Sequence, residues 1–481
     1  MIDPIFILLV GVVIVVGGII GLKLHPFLSL LMAAIAVALL TPEASVEQFH
    51  LAKGLSASEA LNLSHHSIGK RIAVEFGNTC AKIGILIAMA AIIGKAMLDS
   101  GAAEKIVRSM LKLTGEKNAP VGFVFSSFFL TIPVFVDTVI FLMMPLAKAM
   151  GMRLGKNYLL LVLSIVAGSA MANSYVPPAP GPLFLVAALN VPIGLMMVCG
   201  TLLGLCTITI GYFISVYLNK KSPIPLRDSP DARLEDIAAV ADKNETGLPS
   251  LALALLPVLF PLVMICIRSG YEAFVDQSTP LTDSQFINQM MDLVLFFGEK
   301  NIAILMGAIF ALLVLSNQKV TPKEKMTTFV QTALMSGGGI ILIIAAGGAF
   351  GGMLQQTGIS GRIAYLTKDY QMALIPLAFF ITAVVRTAQG SATVALITAS
   401  GILAGMAQNA DLGFNPVYLC LAIGSGAKLI PWMNDSGFWI ISQASNLTER
   451  EILRTVTPMQ SSMGIAGLLI TMLAAWLFPM V

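Results

Sequence analysis

The sequence predicts an all-α polytopic membrane protein made of two inverted-topology repeats, each with about five spans, one re-entrant hairpin and one broken helix. Three observations carry this. Charged residues are 11% of the 481 positions and apolar ones 57%, with mean hydropathy +0.86; soluble domains carry about 25% charged residues. Apolar segments recur along the whole chain. Segments interrupted by polar clusters fall in the same order in each half.

A span needs about 20 apolar residues to cross a core of about 30 Å. Candidate segments lie at about 4–22, 27–41, 76–98, 120–150, 157–189, 193–218, 249–268, 299–316, 333–356, 372–407, 415–445 and 459–480. Gly, Pro and charge clusters separate them. The first follows "MIDP" with no basic leader or small-residue cleavage site, and reads as a retained span.

The polar stretch Asn219–Gly247 divides the chain into a first repeat (1–218), a linker (219–248) and a second repeat (249–481). "GKAMLDSGAAEKI" (Gly94–Ile106) aligns without gaps to "GGMLQQTGISGRI" (Gly351–Ile363). Each half continues with a segment broken by a polar cluster, "TIPVFVDT" (131–138) or "RTAQGSAT" (386–393). A second broken segment follows, around "NSYVPPAPGP" (173–182) or "WMNDSGFW" (432–439), and an uninterrupted span closes the half. The run Pro120–Phe135 is too short to cross before its polar cluster. A hairpin entering and leaving by one side removes the difficulty, at about 120–150 and about 372–407. The broken helices are expected at about 157–189 and about 415–445. Five true spans per half is an odd number, so the second half must be inverted.

Loop charge orients the chain. With the N- and C-termini outside, the inner loops hold Lys105, Arg108, Lys112, Arg153, Lys156, Lys220, Lys221, Lys323, Arg450 and Arg454. The outer loop 269–298 holds Glu272, Asp276, Asp283 and Asp292 and no Lys or Arg. This is the positive-inside pattern, although the outer loops 42–73 and 357–371 carry some basic residues. The linker 219–248 is then cytoplasmic.

Backbone leaves helical hydrogen bonding at membrane depth only inside protein or beside a water-filled cavity. Breaks placed symmetrically in inverted repeats mark the binding site of a secondary transporter. Asn434, Asp435 and Ser436 suit the N-cap of a half-helix, whose free N–H groups attract anions. Thr138, Asn173, Ser174, Gln389, Ser391, Thr393, Asn434 and Ser436 are therefore candidate solute ligands. Intramembrane ionisable groups are functional candidates by default. Asp137 and Asp435 lie at breaks and are assigned to ion coupling. Arg386 and Lys428 either bind an anionic solute or pair with the aspartates, and Lys428 is close enough in sequence to pair with Asp435. Asp435 heads a half-helix that favours its anion, so Asp137 is the better coupling acid. Lys82, Lys95 and Lys148 lie nearer segment ends and are expected to snorkel to the interface.

Other classes lack their signatures. The five cysteines have no CxxC spacing, the four histidines avoid the breaks, and net charge is only +3. No nucleic-acid partner, metal site or cofactor is expected, and no HExxH, GxSxG or P-loop pattern points to an enzyme or ATP-driven pump. A channel filter normally comes from oligomeric copies or one narrow ring, unlike these acid-bearing breaks.

At the breaks the sequence resembles the gluconate permease family of H⁺ symporters. The resemblance rests on "PVFVD" (Pro133–Asp137), "PPAPGP" (Pro177–Pro182), "RTAQGSAT" (Arg386–Thr393) and "NDSGFW" (Asn434–Trp439), with "GKAMLDSGAA" before them. It implies proton-coupled symport of gluconate or a related sugar or hydroxy acid, in a homodimer in the bacterial inner membrane. Histidines of the family pattern fall on Asn173, Ala179 and Trp432, and Lys428 stands where the family has an apolar residue. These departures bear on substrate and ion. Oxygen ligands at Thr138, Asn173, Ser174, Thr393 and Asn434 would suit sodium, so a sodium-coupled carboxylate symporter is the alternative.

Overall fold

A computed structural model describes residues 3–226, 247–274, 285–317, 326–359, 362, 371–409, 412–433 and 435–480. Most of the linker and the loop 318–325 lie outside these residues. The described chain is all-helical.

In the first half, α1 (Pro4–Val16) and α2 (Pro26–Leu40) each begin on proline. Proline suits this place because its missing N–H would have had no helical partner. The Asp3 carboxylate and the His25 ring cap the two starts. α3 (Glu43–Ala52) and α4 (Ala57–Ser64) lead into the long α5 (Ile68–Asp99). α6 (Ala102–Thr114) is amphipathic. Then come α7 (Ala119–Thr131), α8 (Val136–Leu154), α9 (Tyr158–Tyr175), α10 (Pro180–Ala188) and α11 (Ile193–Lys221).

The second half runs α12 (Leu251–Phe274), α13 (Gln285–Gly298), α14 (Lys300–Asn317), α15 (Met326–Gln355), α16 (Leu374–Gln389), α17 (Ala392–Asn409), α18 (Val417–Gly426), α19 (Ser436–Ser445) and α20 (Glu449–Leu477).

Among the described residues, seven helices are long and apolar enough to cross a membrane, or eight if the pair α2–α3, bent by 100°, is one span. Ten were expected. The shortfall has local causes. α1 has 13 residues before the helix continues as a π-helical stretch, Gly17–Gly21, and α2 has 15, or about 22 Å. The 415–445 segment splits into two helices of 10 residues each. The stretch Tyr158–Ala188 is the centre of the protein, its most apolar window being wholly buried.

Lipid gives apolar helices little reason to associate, so close approach through small residues matters more than in water. At Gly168 on α9, an added Cβ would lie 2.2 Å from the Val124 carbonyl of α7. The two helices can touch there only because the side chain is a hydrogen. α9 also packs on α11. In the other half, α18 packs on α16 and α20. The halves interlock: α8 lies against α19, and α17 lies against α10. α5 packs against α15 and α14, and α15 against α2, beside this unit.

Lys148 differs from expectation. It sits on α8 at only 4% exposure instead of reaching an interface, because α8 is enclosed by α7, α9 and α19 along that stretch. Lys95 pairs with Asp99 at 2.9 Å, and Lys82 is exposed and donates to the Ala187 carbonyl at 3.4 Å.

Candidate functional site

Two turns and two interruptions meet at one place. α7 ends at Thr131, and α8 restarts at Val136 with Asp137 in its first turn. α9 ends at Tyr175, and the turn Val176–Ala179 leads to α10. α16 ends at Gly390, which caps it with φ 81°. That left-handed backbone favours glycine, and it lets α17 begin almost at once. α18 stops at Gly426, and α19 restarts behind Asp435.

The interruption between α18 and α19 leaves backbone groups that helices do not satisfy. Side chains from neighbouring helices take them up. Thr457 Oγ1 donates to the Pro431 carbonyl at 2.6 Å, and Ile430 N–H donates to Ser461 Oγ at 2.9 Å. In the other direction, Trp432 Nε1 of the interruption donates to the Thr387 carbonyl of α16 at 2.8 Å. Arg386 does most. Its Nε donates to the Ala427 carbonyl at 3.0 Å, at the C-terminal end of α18. Its Nη1 donates to the Gly390 carbonyl, and its Nη2 to the Asp435 carboxylate. Asp435 also accepts from Gly437 N–H at 2.9 Å and so caps α19. One guanidinium therefore covers two helix C-termini, where the dipole favours a cation, and holds the carboxylate at the start of a third helix.

The pairing left open by the sequence is thus Arg386 with Asp435, not Lys428 with Asp435. The fork of Arg386 matches a carboxylate and two carbonyls at fixed geometry, which the point charge of lysine does not. Among the described residues, Asp137 and Lys428 form no ion pair. Lys428 is 3% exposed, and Asp137 is exposed.

The two interrupted helices touch below this network. Tyr175 OH and Ser425 Oγ are 2.8 Å apart, both fully buried. Gly424 permits the approach, since a Cβ there would lie 2.7 Å from the Ser174 carbonyl.

A cavity of about 200 Å³ opens among these elements, lined by Asp137, Asn173, Arg386, Ser391, Thr393, Lys428 and Asp435. Ser169, Ala170 and Gln460 complete its wall with the apolar Val136, Ile140, Val166 and Ile441. It is smaller than the ~300 Å³ at which drug-sized pockets begin, so it fits a small polar solute. Thr138 and Ser174 do not line it. Thr138 is half-buried on α8, and Ser174 is fully buried on α9, with its backbone carbonyl against Gly424 of α18. Only the backbone of Gln389 and Ser436 is described, and Asn434 lies outside the described residues.

Sequence reasoning missed Ser169 and Gln460. Both lie inside regular helices, away from any Pro or Gly break. Their one signal is an amide or hydroxyl in a span, and such residues are common there. The contrast drawn between the two acids also changes. Asp137, like Asp435, is at a helix N-terminus. What separates them is partnering.

An all-helical bundle with interrupted helices meeting at a small, charged, polar cavity defines a membrane transporter. The comparisons give its family. A family model for GntP family permeases matches residues 3–477, and the chain belongs to that family. It is 28% identical over 475 residues to the gluconate permease of Pseudomonas aeruginosa, covering 97% of each chain. It is 26% identical to the inner membrane permease YgbN of Escherichia coli, covering 96% of each. Its fold is similar to the solved YdaH transporter of Alcanivorax borkumensis, with TM-score 0.58, 12% identity and 84% and 88% of the two chains covered. It is also similar to MtrF of Neisseria gonorrhoeae, with TM-score 0.60, 16% identity and 84% and 83% covered. The chain is a multi-pass permease of the bacterial inner membrane, not an enzyme.

Proposed function

We propose that this permease carries a small organic anion, gluconate or a related sugar or hydroxy acid, together with a proton. Relatives named gluconate permease support the substrate class. The observation that carries the coupling is the presence of unpaired Lys428 and Asp137 beside the closed Arg386–Asp435 pair. With all four groups ionised, their charges cancel. An anionic solute would leave one net negative charge in a confined site, and uncompensated buried charge is costly. Protonation of Asp137 removes that charge. Lys428 supplies the partner for the solute carboxylate, and Asn173, Ser391, Thr393 and Gln460 supply hydrogen bonds for its hydroxyls. Solute and proton are then each favoured by the other.

The same reading takes 1–218 and 249–481 as inverted repeats with hairpins α7–α8 and α16–α17, joined by a cytoplasmic linker, in a homodimer. Its support is the matched packing of α7 on α9 with α16 on α18, of α9 on α11 with α18 on α20, and of α8 on α19 with α17 on α10.

Gluconate uptake into proteoliposomes under an inward proton gradient, a sodium gradient, or neither tests the coupling. Accumulation above the outside concentration is expected only with the proton gradient. Strict sodium dependence would turn the reading to the sodium-coupled alternative, and equilibration without accumulation would remove coupling altogether.

A further inference from the structure

A larger cavity, about 490 Å³, lies between α5, α10, α15 and α17. Glu75, Asn78 and Lys82 line it from α5, and their spacing sets them on one face of that helix. α5 is long and apolar enough to cross a membrane. Charged groups on such a helix face protein or a water-filled cavity. Asn78 and Lys82 are exposed, so this cavity holds water. Lys53, Asn190 and Gln355 add polar groups from the other walls, and most of the remaining lining is Gly or Ala. Among the described residues neither lysine has a carboxylate partner. Lys53 lies 4.2 Å over the Phe49 ring, and Lys82 makes a 3.4 Å contact with the Ala187 carbonyl. Asn190 comes just before α11, whose other end leads to the linker. The cavity therefore sits at the end of the molecule away from the linker.

We infer that this cavity is a second, weaker binding site for the solute, a polyhydroxylated monocarboxylate held on its way to the transport cavity. The inference rests on the substrate reading above. The cavity exceeds the ~300 Å³ at which ligand pockets begin. Lys53 and Lys82 against Glu75 leave one net positive charge, which matches a monoanion. A cleft of one sign raises the local concentration of its counter-ion. The amides of Asn78, Asn190 and Gln355 offer both donors and acceptors to hydroxyl groups. Glu75 would repel a bare anion, but a carboxylate accepts hydrogen bonds from hydroxyls, so it favours a hydroxylated acid over a plain one. A Cβ on Gly352 would lie 2.6 Å from Glu75 Cγ, so that side chain runs across bare backbone of α15. The two cavities share α17: Gly401 and Ala404 line this one, and Ser391 and Thr393 line the transport cavity. Thr393 and Gly401 are about 12 Å apart along the helix. A site on such a route must release what it binds, and two exposed lysines with one acid suit weak binding.

Equilibrium dialysis of radiolabelled gluconate against the purified full-length permease tests this. Wild-type protein should show two classes of site, one tight and one weak. Lys82→Gln with Asn78→Ala changes two exposed side chains. It should weaken the weak class about tenfold or more, as expected for loss of a hydrogen bond to a charged group, and leave the tight class alone. Lys428→Met should do the reverse. Glu75→Gln should let acetate compete severalfold better for the weak class. A single class, lost in Lys428→Met and untouched by Lys82→Gln with Asn78→Ala, would overturn the second site and leave the substrate reading standing. Acetate as effective as gluconate at the weak class of the wild type would reduce it to an unselective cationic patch and overturn the proposal. No gluconate bound by the wild type at all would overturn the substrate reading, and this site with it.

Discussion

The two helix interruptions solve one backbone problem by different means. The first, Val176–Ala179, is short and rich in proline, and buried groups surround it. Prolines have no N–H to satisfy, so a proline-rich turn reduces the demand at its source. The second, from Ala427 to Asp435, is longer and leaves carbonyls and N–H groups that Arg386, Thr457 and Ser461 answer. The first interruption is quiet structure. The second brings a cation, an anion and a free lysine to the cavity. The first half of the chain gives Asp137 and Asn173 to the cavity, and the second gives most of the charge.

Breaking the Arg386 network should have the largest effect. Arg386→Met leaves Asp435 without its partner and strands the carbonyls of Ala427 and Gly390. Loss of one member of a buried pair costs roughly 3–5 kcal/mol. Much lower yield of folded protein in detergent and no uptake are expected. Adding Asp435→Asn should recover part of the thermal stability but not transport. A stable, active Arg386→Met would mean that the second interruption is held by something else.

Asp137→Asn comes next. It removes a titratable group but keeps shape and polarity. Accumulation driven by a proton gradient should fall to equilibration, while exchange of gluconate between equal pools continues. Unchanged accumulation would sink Asp137 as the coupling acid and make the charge balance of the cavity irrelevant.

Lys428→Met tests the other unpaired charge. A hydrogen bond to a charged group contributes about 1.5–3 kcal/mol, so apparent KM should rise by about tenfold to a hundredfold, with folding preserved. Measured by uptake at graded solute concentration, an unchanged KM would show that the solute carboxylate is held elsewhere.

These residues also mark how far the sequence could be read. The positions of all the interruptions were legible because Pro, Gly and polar residues are conspicuous inside apolar runs. Which cation answers which anion was not. Arg386 bonds to Ala427 and Asp435, both distant in sequence, and only packing of α16 on α18 brings them together. Lys148 read as a snorkelling residue because its distance from a helix end is visible locally, whereas enclosure of α8 is not. Gln460 and Ser169 carried no local mark at all.

The smallest effect gives the finest test, because Asn173 and Ser174 are chain neighbours near the end of α9. Sequence reasoning placed both at the solute site. The structure puts Asn173 on the cavity wall and buries Ser174 away from it. Adjacent helical residues do not share a face, so both cannot line one small site from a regular helix. Ser174 Oγ has no hydrogen-bond partner among the described residues. Removing a hydroxyl that is already unsatisfied forfeits no bond, and a buried unpaired polar group is itself unfavourable. Ser174→Ala should therefore leave KM unchanged and melting temperature equal or slightly higher. Asn173→Ala should raise KM severalfold with little change in melting temperature. A KM increase in Ser174→Ala matching that of Asn173→Ala would mean that α9 turns or unwinds at its end when solute binds, bringing the first interruption into the site as an active partner of the second.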